Sequence, residues 1–318
     1  MVDGRRLNRT EYWKNFRLAE ELDVSGTFIY NGIRRFHEIK MLDRSADIFE
    51  VFYQLSIGIE RLMKISIVLL EHDDQSDPET FEKLLRTHNL QTLLNRIEQR
   101  KGLGLFGHHS SFLNILTQFY KDLRYDRFSL NSTLELGKER QELLDFLKKQ
   151  LNVEFHSKDA LFGNENTSQF KKFIRKIVIE IASTLFELIR DTASALGLYT
   201  YELYSGSKAE TVFLRKANLT SEDHLWKELL IFFMNTKETS GYLEFLRGIE
   251  PLPFDPGLVG DYLSSFQSDS ARFEVLDELE AHYEEVPDIK DRRQMMGIIG
   301  QAGVYFSDDP DSDLEEDE

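Results

Sequence analysis

Two arginines three residues apart, Arg124 and Arg127, are the side chains of this 318-residue chain best suited to chemistry on a phosphate. A guanidinium stays charged when half-buried, and its planar fork can hold two phosphate oxygens at once. Tyr120, Arg124 and Arg127 follow one another at steps of four and three, which sets them along one face of a helix. Tyr125 and Asp126 lie between the arginines. The structural alternative is that Arg124 or Arg127 pairs with Glu60 or Asp126 and locks two helices together. His88, followed by Asn89, is the next candidate. An imidazole at a helix junction can act as general acid or base near neutral pH, and His88 would serve the arginines if the fold brings it to them. The alternative for His88 and Asn89 is capping or packing.

Other patterns carry less. His108 and His109 are adjacent in GLFGHHSS, a spacing that points the two rings in different directions, and no nearby carboxylate or cysteine completes a ligand set. No metal and no cofactor is expected. GLGLFG lacks the GxxxxGK[ST] pattern and a preceding strand, so it reads as a turn, and Ser110 and Ser111 have no acid partner placed for a triad. Tyr199, Tyr201 and Tyr204 could stack bases, but lacking interleaved basic residues they read as packing.

The elements that must position these residues are helical. Ile48, Phe52, Leu55, Ile59, Leu62 and Leu69 recur at alternating steps of four and three and mark one buried stripe over residues 47 to 71. Asp77, Pro78 and Glu79 open the next helix as cap, first-turn proline and dipole complement. A break is expected at Thr87 to Asn89, and then Leu90, Leu93, Leu94 and Ile97 form a further stripe. Phe112, Leu116, Phe119 and Leu123 carry the arginine helix, and Ser132 with Glu135 makes a capping-box pair before Leu143, Leu144, Leu147 and Leu151. Phe170, Phe173, Ile177, Ile181, Leu185 and Leu188 predict another long helix after a polar loop. GLYTYELYSGSKAETVFLRK allows a short hairpin or an irregular aromatic connection. Helical patterns return over 225 to 234, 258 to 266, 273 to 283 and 288 to 299.

The order of Glu60-Arg61-Leu62, His88-Asn89-Leu90 and Arg124-Tyr125-Asp126-Arg127-Phe128 resembles the HEPN superfamily, small helical nucleotide-binding domains. The resemblance covers roughly the first half of the chain. It implies a four-helix bundle, pairing of two copies so that arginine-bearing helices meet across a two-fold axis, and a setting in bacterial defence or toxin systems. Active members are often metal-independent ribonucleases and carry an arginine and a histidine separated by four to six residues. This chain departs from that pattern: Arg34 to His37 is too short, Arg100 to His108 too long, and Arg124 and Arg127 lead to no histidine. The resemblance thus implies a catalytically degenerate binder of RNA or a nucleotide-bearing partner, with an active endoribonuclease using Arg124, Arg127 and His88 or Tyr125 as one alternative; the acidic surface and tail leave a non-enzymatic protein-interaction module as the other. Tyr120, Tyr125 and Asn89 are the expected binding residues.

The expected fold class is all-α: an arm over 1–39, a HEPN-like bundle over 40–152, a second helical region over 169–303 and a disordered acidic tail over 304–318. A 41% hydrophobic content supplies a core. There is no cysteine, which removes disulfides and thiolate chemistry. No uncharged apolar run approaches the roughly 18 residues that span a bilayer, and the N-terminus has no secretion-signal core, so a cytoplasmic protein is expected. A net charge of −17 argues against general coating of nucleic acid. Eight acidic groups in residues 308 to 318 contribute nearly half of it, and that tail is expected to contact a basic partner or to aid solubility.

Overall fold

The apolar stripe of residues 47 to 71 becomes α3 (Ser45–Glu71), the helix around which the first 219 residues pack, in which Ile48, Phe52, Leu55, Ile59 and Leu62 are essentially inaccessible to solvent. Each such side chain contributes about 1.5–3 kcal/mol by leaving water. The computed structural model describes the chain except residues 1–7, 74–77, 106, 127, 129, 131–136, 156–162, 199–206, 215–218, 267–268 and 307–318. The Ser132/Glu135 capping pair, Tyr199, Tyr201, Tyr204, Asp77, Arg127 and the acidic tail beyond 306 therefore lie outside the described residues.

Around α3 pack α2 (Leu18–Glu38), α5 (Leu90–Glu98), α6 (His108–Gln118), α8 (Lys138–Leu151) and α9 (Ser168–Ala195), with the shorter α1 (Arg9–Tyr12), α4 (Pro78–Leu85), α7 (Arg124–Asp126) and α10 (Lys208–Phe213) between or beside them. Helix α2 joins through Leu22, Ile29, Ile33 and Phe36, all buried. Its close approach depends on Gly58, where a Cβ would stand 2.5 Å from Ile29 Cγ1 and 3.0 Å from the Ile29 backbone nitrogen. Ser25 uses that proximity to donate a hydrogen bond to the Gly58 carbonyl at 2.7 Å. Buried Asn166 donates to the carbonyls of Phe36 and Ile39, closing the end of α2, and Thr167 caps α9. Among the described residues the β contact is an isolated antiparallel bridge between Met41 and Glu165, so the all-α expectation holds. No described helix is long and apolar enough to cross a membrane.

The chain divides between Leu219 and Thr220. Residues assigned from sequence to an arm (9–38) and to the start of a C-terminal region (169–213) thus lie in one unit with 40–152. Their apolar stripes meet α3, which periodicity alone could not reveal. The aromatic stretch after Gly197 ends in helix α10, capped by Ser207.

The second unit contains α11 (Leu219–Asn235) beyond its first residue, α12 (Gly241–Gly248), α13 (Val259–Ser265), α14 (Asp269–Glu285) and α15 (Ile289–Ile298). It is held by small clusters: Tyr242, Phe245 and Phe306 pack together, Phe254 meets Tyr262 and His282, and Tyr262 donates to Glu278 at 2.8 Å. None of its described residues is fully buried, and Leu225, Leu229, Ile231, Phe232, Phe233 and Met234 of α11 are all exposed. Charge follows the same division. The first unit carries 32 basic and 31 acidic residues, the second 7 basic and 25 acidic.

Candidate functional site

Two segments of the first unit leave regular α-helical winding for a π-helical turn, Trp13–Arg17 and Phe119–Leu123. Such turns are uncommon and cluster at functional sites. Both border the same groove. Trp13 and Tyr120 line a depression of about 570 Å³ together with Tyr53, Glu60, Arg61, Lys64 and His88. The π turn sends Phe119 into the core, against Phe49 and Phe52, while Tyr120 faces the groove.

Tyr120 is the hub of the site. Its ring centre lies 4.8 Å from that of His88 and 6.3 Å from that of Tyr53. The Arg124 guanidinium rests 3.9 Å from the centre of Tyr120 and 4.4 Å from that of Tyr125, and Arg124 Nη2 donates to the Tyr125 hydroxyl at 2.8 Å. Cation–π contacts of this kind stabilise by about 0.5–2 kcal/mol and hold the cation flat. Burial raises the pKa of the Tyr120 phenol; Arg124 opposes the shift, while Glu60 and Tyr53 add to it. The phenol therefore keeps its proton at neutral pH and can donate.

Behind His88 stands a carboxylate. His88 Nδ1 is 2.9 Å from Glu60 Oε2, and Lys64 Nζ is 2.6 Å from Glu60 Oε1. Glu60 is almost buried, whereas His88 keeps half of its side chain exposed to the groove. A buried acceptor on one ring nitrogen orients an imidazole and leaves the other nitrogen for a ligand. Arg96 ties α5 to α3 and α4: it forks onto Glu71 of α3 with contacts of 2.6 to 3.0 Å, donates to the Leu84 carbonyl and lies over Phe81. Arg61 pairs with Glu21 of α2 at the groove's edge.

No family model, curated protein or solved structure matches this chain. The sequence candidates Arg124, Tyr120, Tyr125 and His88 come together in space, although His88 belongs to the connection before α5. Asn89 is committed to capping α5, accepting from Thr92 N at 3.0 Å. Among the described residues Glu60 serves His88 and Lys64, and Arg124 lies on the two tyrosines; the Arg124 Nε is buried with no acceptor among them. Trp13, Tyr53 and Lys64 carried no sequence signal, because their relation to Tyr120 spans separate helices.

The adjacent histidines require a correction. His108 and His109 do meet a carboxylate, Glu180 of α9, whose Oε2 is 3.0 Å from His109 Nε2 and 3.7 Å from His108 Nε2. The first turn of α6 lets the two rings lie side by side, 4.1 Å apart. Partial burial of Glu180 favours its neutral form, but hydrogen bonds from His109 and His108 and the nearby Lys176 outweigh it and hold the carboxyl below its ordinary value.

Proposed function

We propose that this protein is a HEPN-like RNA or nucleotide binder whose phosphate contact is Arg124. The observation that carries this reading is the stacking of Arg124 on Tyr120 and Tyr125, which presents a flat, fixed cation beside an exposed aromatic ring. Phosphate needs the first and an unpaired base the second. The near-even charge of the first unit supports local rather than general attraction for a polyanion.

The Glu60–His88 contact favours a second reading, metal-independent cleavage of RNA. In it the ribose 2′-oxygen bonds to phosphorus as the P–O5′ bond breaks; His88, oriented by Glu60, takes the proton of the 2′-hydroxyl or gives one to the departing 5′-oxygen, while Arg124 stabilises the negative charge on the non-bridging phosphate oxygens. One experiment separates the readings. Metal-depleted, tag-free protein is incubated with a mixed RNA pool beside its His88→Ala variant, and retention and cleavage are measured together. Retention without cleavage in both proteins supports the binder. Cleavage that survives a chelator and disappears in His88→Ala establishes the nuclease, and neither retention nor cleavage removes both readings.

The second unit fits a different partner. Exposed apolar residues on α11 together with an excess of 18 acidic groups suit a basic protein surface and disfavour self-association of this unit through like charge. Removing residues 308 to 318 should weaken capture of a lysine-rich polypeptide and flatten its salt dependence. Unchanged capture would leave the tail a solubility role.

A further inference from the structure

Away from the groove, the cluster joining α6 to α9 gathers three side chains of metal-binding type. His108 and His109 are the first two residues of α6 and Glu180 lies midway along α9, so the cluster connects separate layers of the bundle. One ligand atom from each residue lies within 4.8 Å of those of the other two. Bond lengths of about 2.0–2.2 Å to a zinc-like ion place neighbouring ligand atoms about 3–3.5 Å apart. The distances of 3.0 and 3.7 Å from Glu180 Oε2 to the two Nε2 atoms bracket that range, and the third ligand pair lies within 4.8 Å.

The chemistry of the set is selective. Two imidazole nitrogens and one carboxylate oxygen suit first-row transition ions better than Mg²⁺ or Ca²⁺, which prefer oxygen alone. His109 is largely buried, whereas His108 and Glu180 are each about 40% exposed, so one side is anchored and the other is open to entry. Lys176 approaches the second carboxylate oxygen at 3.8 Å from an exposed position and can swing away. Gly107, at φ +64° with open space where a Cβ would stand, turns the chain into α6 and sets the first histidine on the helix end.

We propose that His108, His109 and Glu180 bind a divalent first-row transition ion, with Zn²⁺ as the representative. Three protein ligands leave a position for water or an anion, the arrangement of an exchangeable site rather than a closed structural one. The bound ion would pin the start of α6 to α9. Twelve residues of helix separate His108 from Tyr120, about 18 Å at 1.5 Å per residue. The site is thus distinct from the groove, and the inference does not depend on RNA binding.

The test uses full-length, tag-free protein stripped with a chelator and dialysed. Co²⁺ is titrated in and followed by its visible absorption, then displaced with Zn²⁺, and the Zn²⁺ affinity is measured by calorimetry. The expected result is one ion per chain, with affinity reduced at least tenfold in both His109→Ala and Glu180→Gln. The glutamine can still accept a hydrogen bond from His109, so this variant decides the question if His109→Ala misfolds by circular dichroism. Absence of stoichiometric binding at 100-fold excess of Zn²⁺, or equal affinity in Glu180→Gln, overturns the proposal.

Discussion

Replacing Arg124 by alanine should reduce RNA retention by roughly 10- to 150-fold at low salt, the equivalent of losing one charge-assisted contact of about 1.5–3 kcal/mol. Two further readouts make the result specific. If Arg124 contacts phosphate, the slope of log affinity against log salt should fall by about 0.7 for a single strand. Arg124→Lys should restore that slope while recovering only part of the affinity, because an ammonium keeps the charge but cannot lie flat over Tyr120 and Tyr125 as the guanidinium does at 3.9 and 4.4 Å. The variant should stay folded, since the cation rests on the groove wall and the core beneath is supplied by Phe119 and Leu123. A folded Arg124→Ala protein with unchanged affinity and slope would move the phosphate contact elsewhere and remove the reading of this groove as an RNA site.

How far the sequence reveals this arrangement depends on the distance over which each interaction acts. The stripe Ile48 to Leu69 is legible because burial imposes a helical period on neighbouring residues, and the break at Thr87 to Asn89 is legible because Asn89 caps its own helix locally. The partnership of Glu60 with His88 crosses 28 residues and that of His109 with Glu180 crosses 71, and no periodicity encodes either. The same limit explains the domain division. The apolar face on 170–189 announces that it will be buried but not that α3 will bury it, and residues 18–36, expected to belong to an arm, form a helix whose buried face meets α3 as well. The π turn over Phe119–Leu123 is invisible for another reason: steps of four and three presuppose regular winding, and this segment departs from it while Phe119 and Leu123 stay buried.

That turn links the core to the site, so Phe119→Ala should damage both. Phe119 is fully buried, with its ring edge-on to Phe49 at 5.0 Å and to Phe52 at 5.5 Å. Truncation removes the ring and leaves a cavity between α3 and the arginine-bearing segment, at a cost of about 3–5 kcal/mol. For a unit of 219 residues this corresponds to a fall in melting temperature of about 6–20 °C. Phe119 and Tyr120 are consecutive residues of the π turn, so losing the ring that anchors the first should loosen the placement of the second beside His88. RNA retention measured well below the melting transition should therefore fall as well, whereas Tyr120→Phe, which leaves Phe119 and the turn intact, should keep its stability. Calorimetry and retention on the same preparations decide the matter. A melting temperature within 2 °C of the parent would show that Phe119 does not anchor the turn, and a large fall with full retention would show that the groove is positioned independently of it.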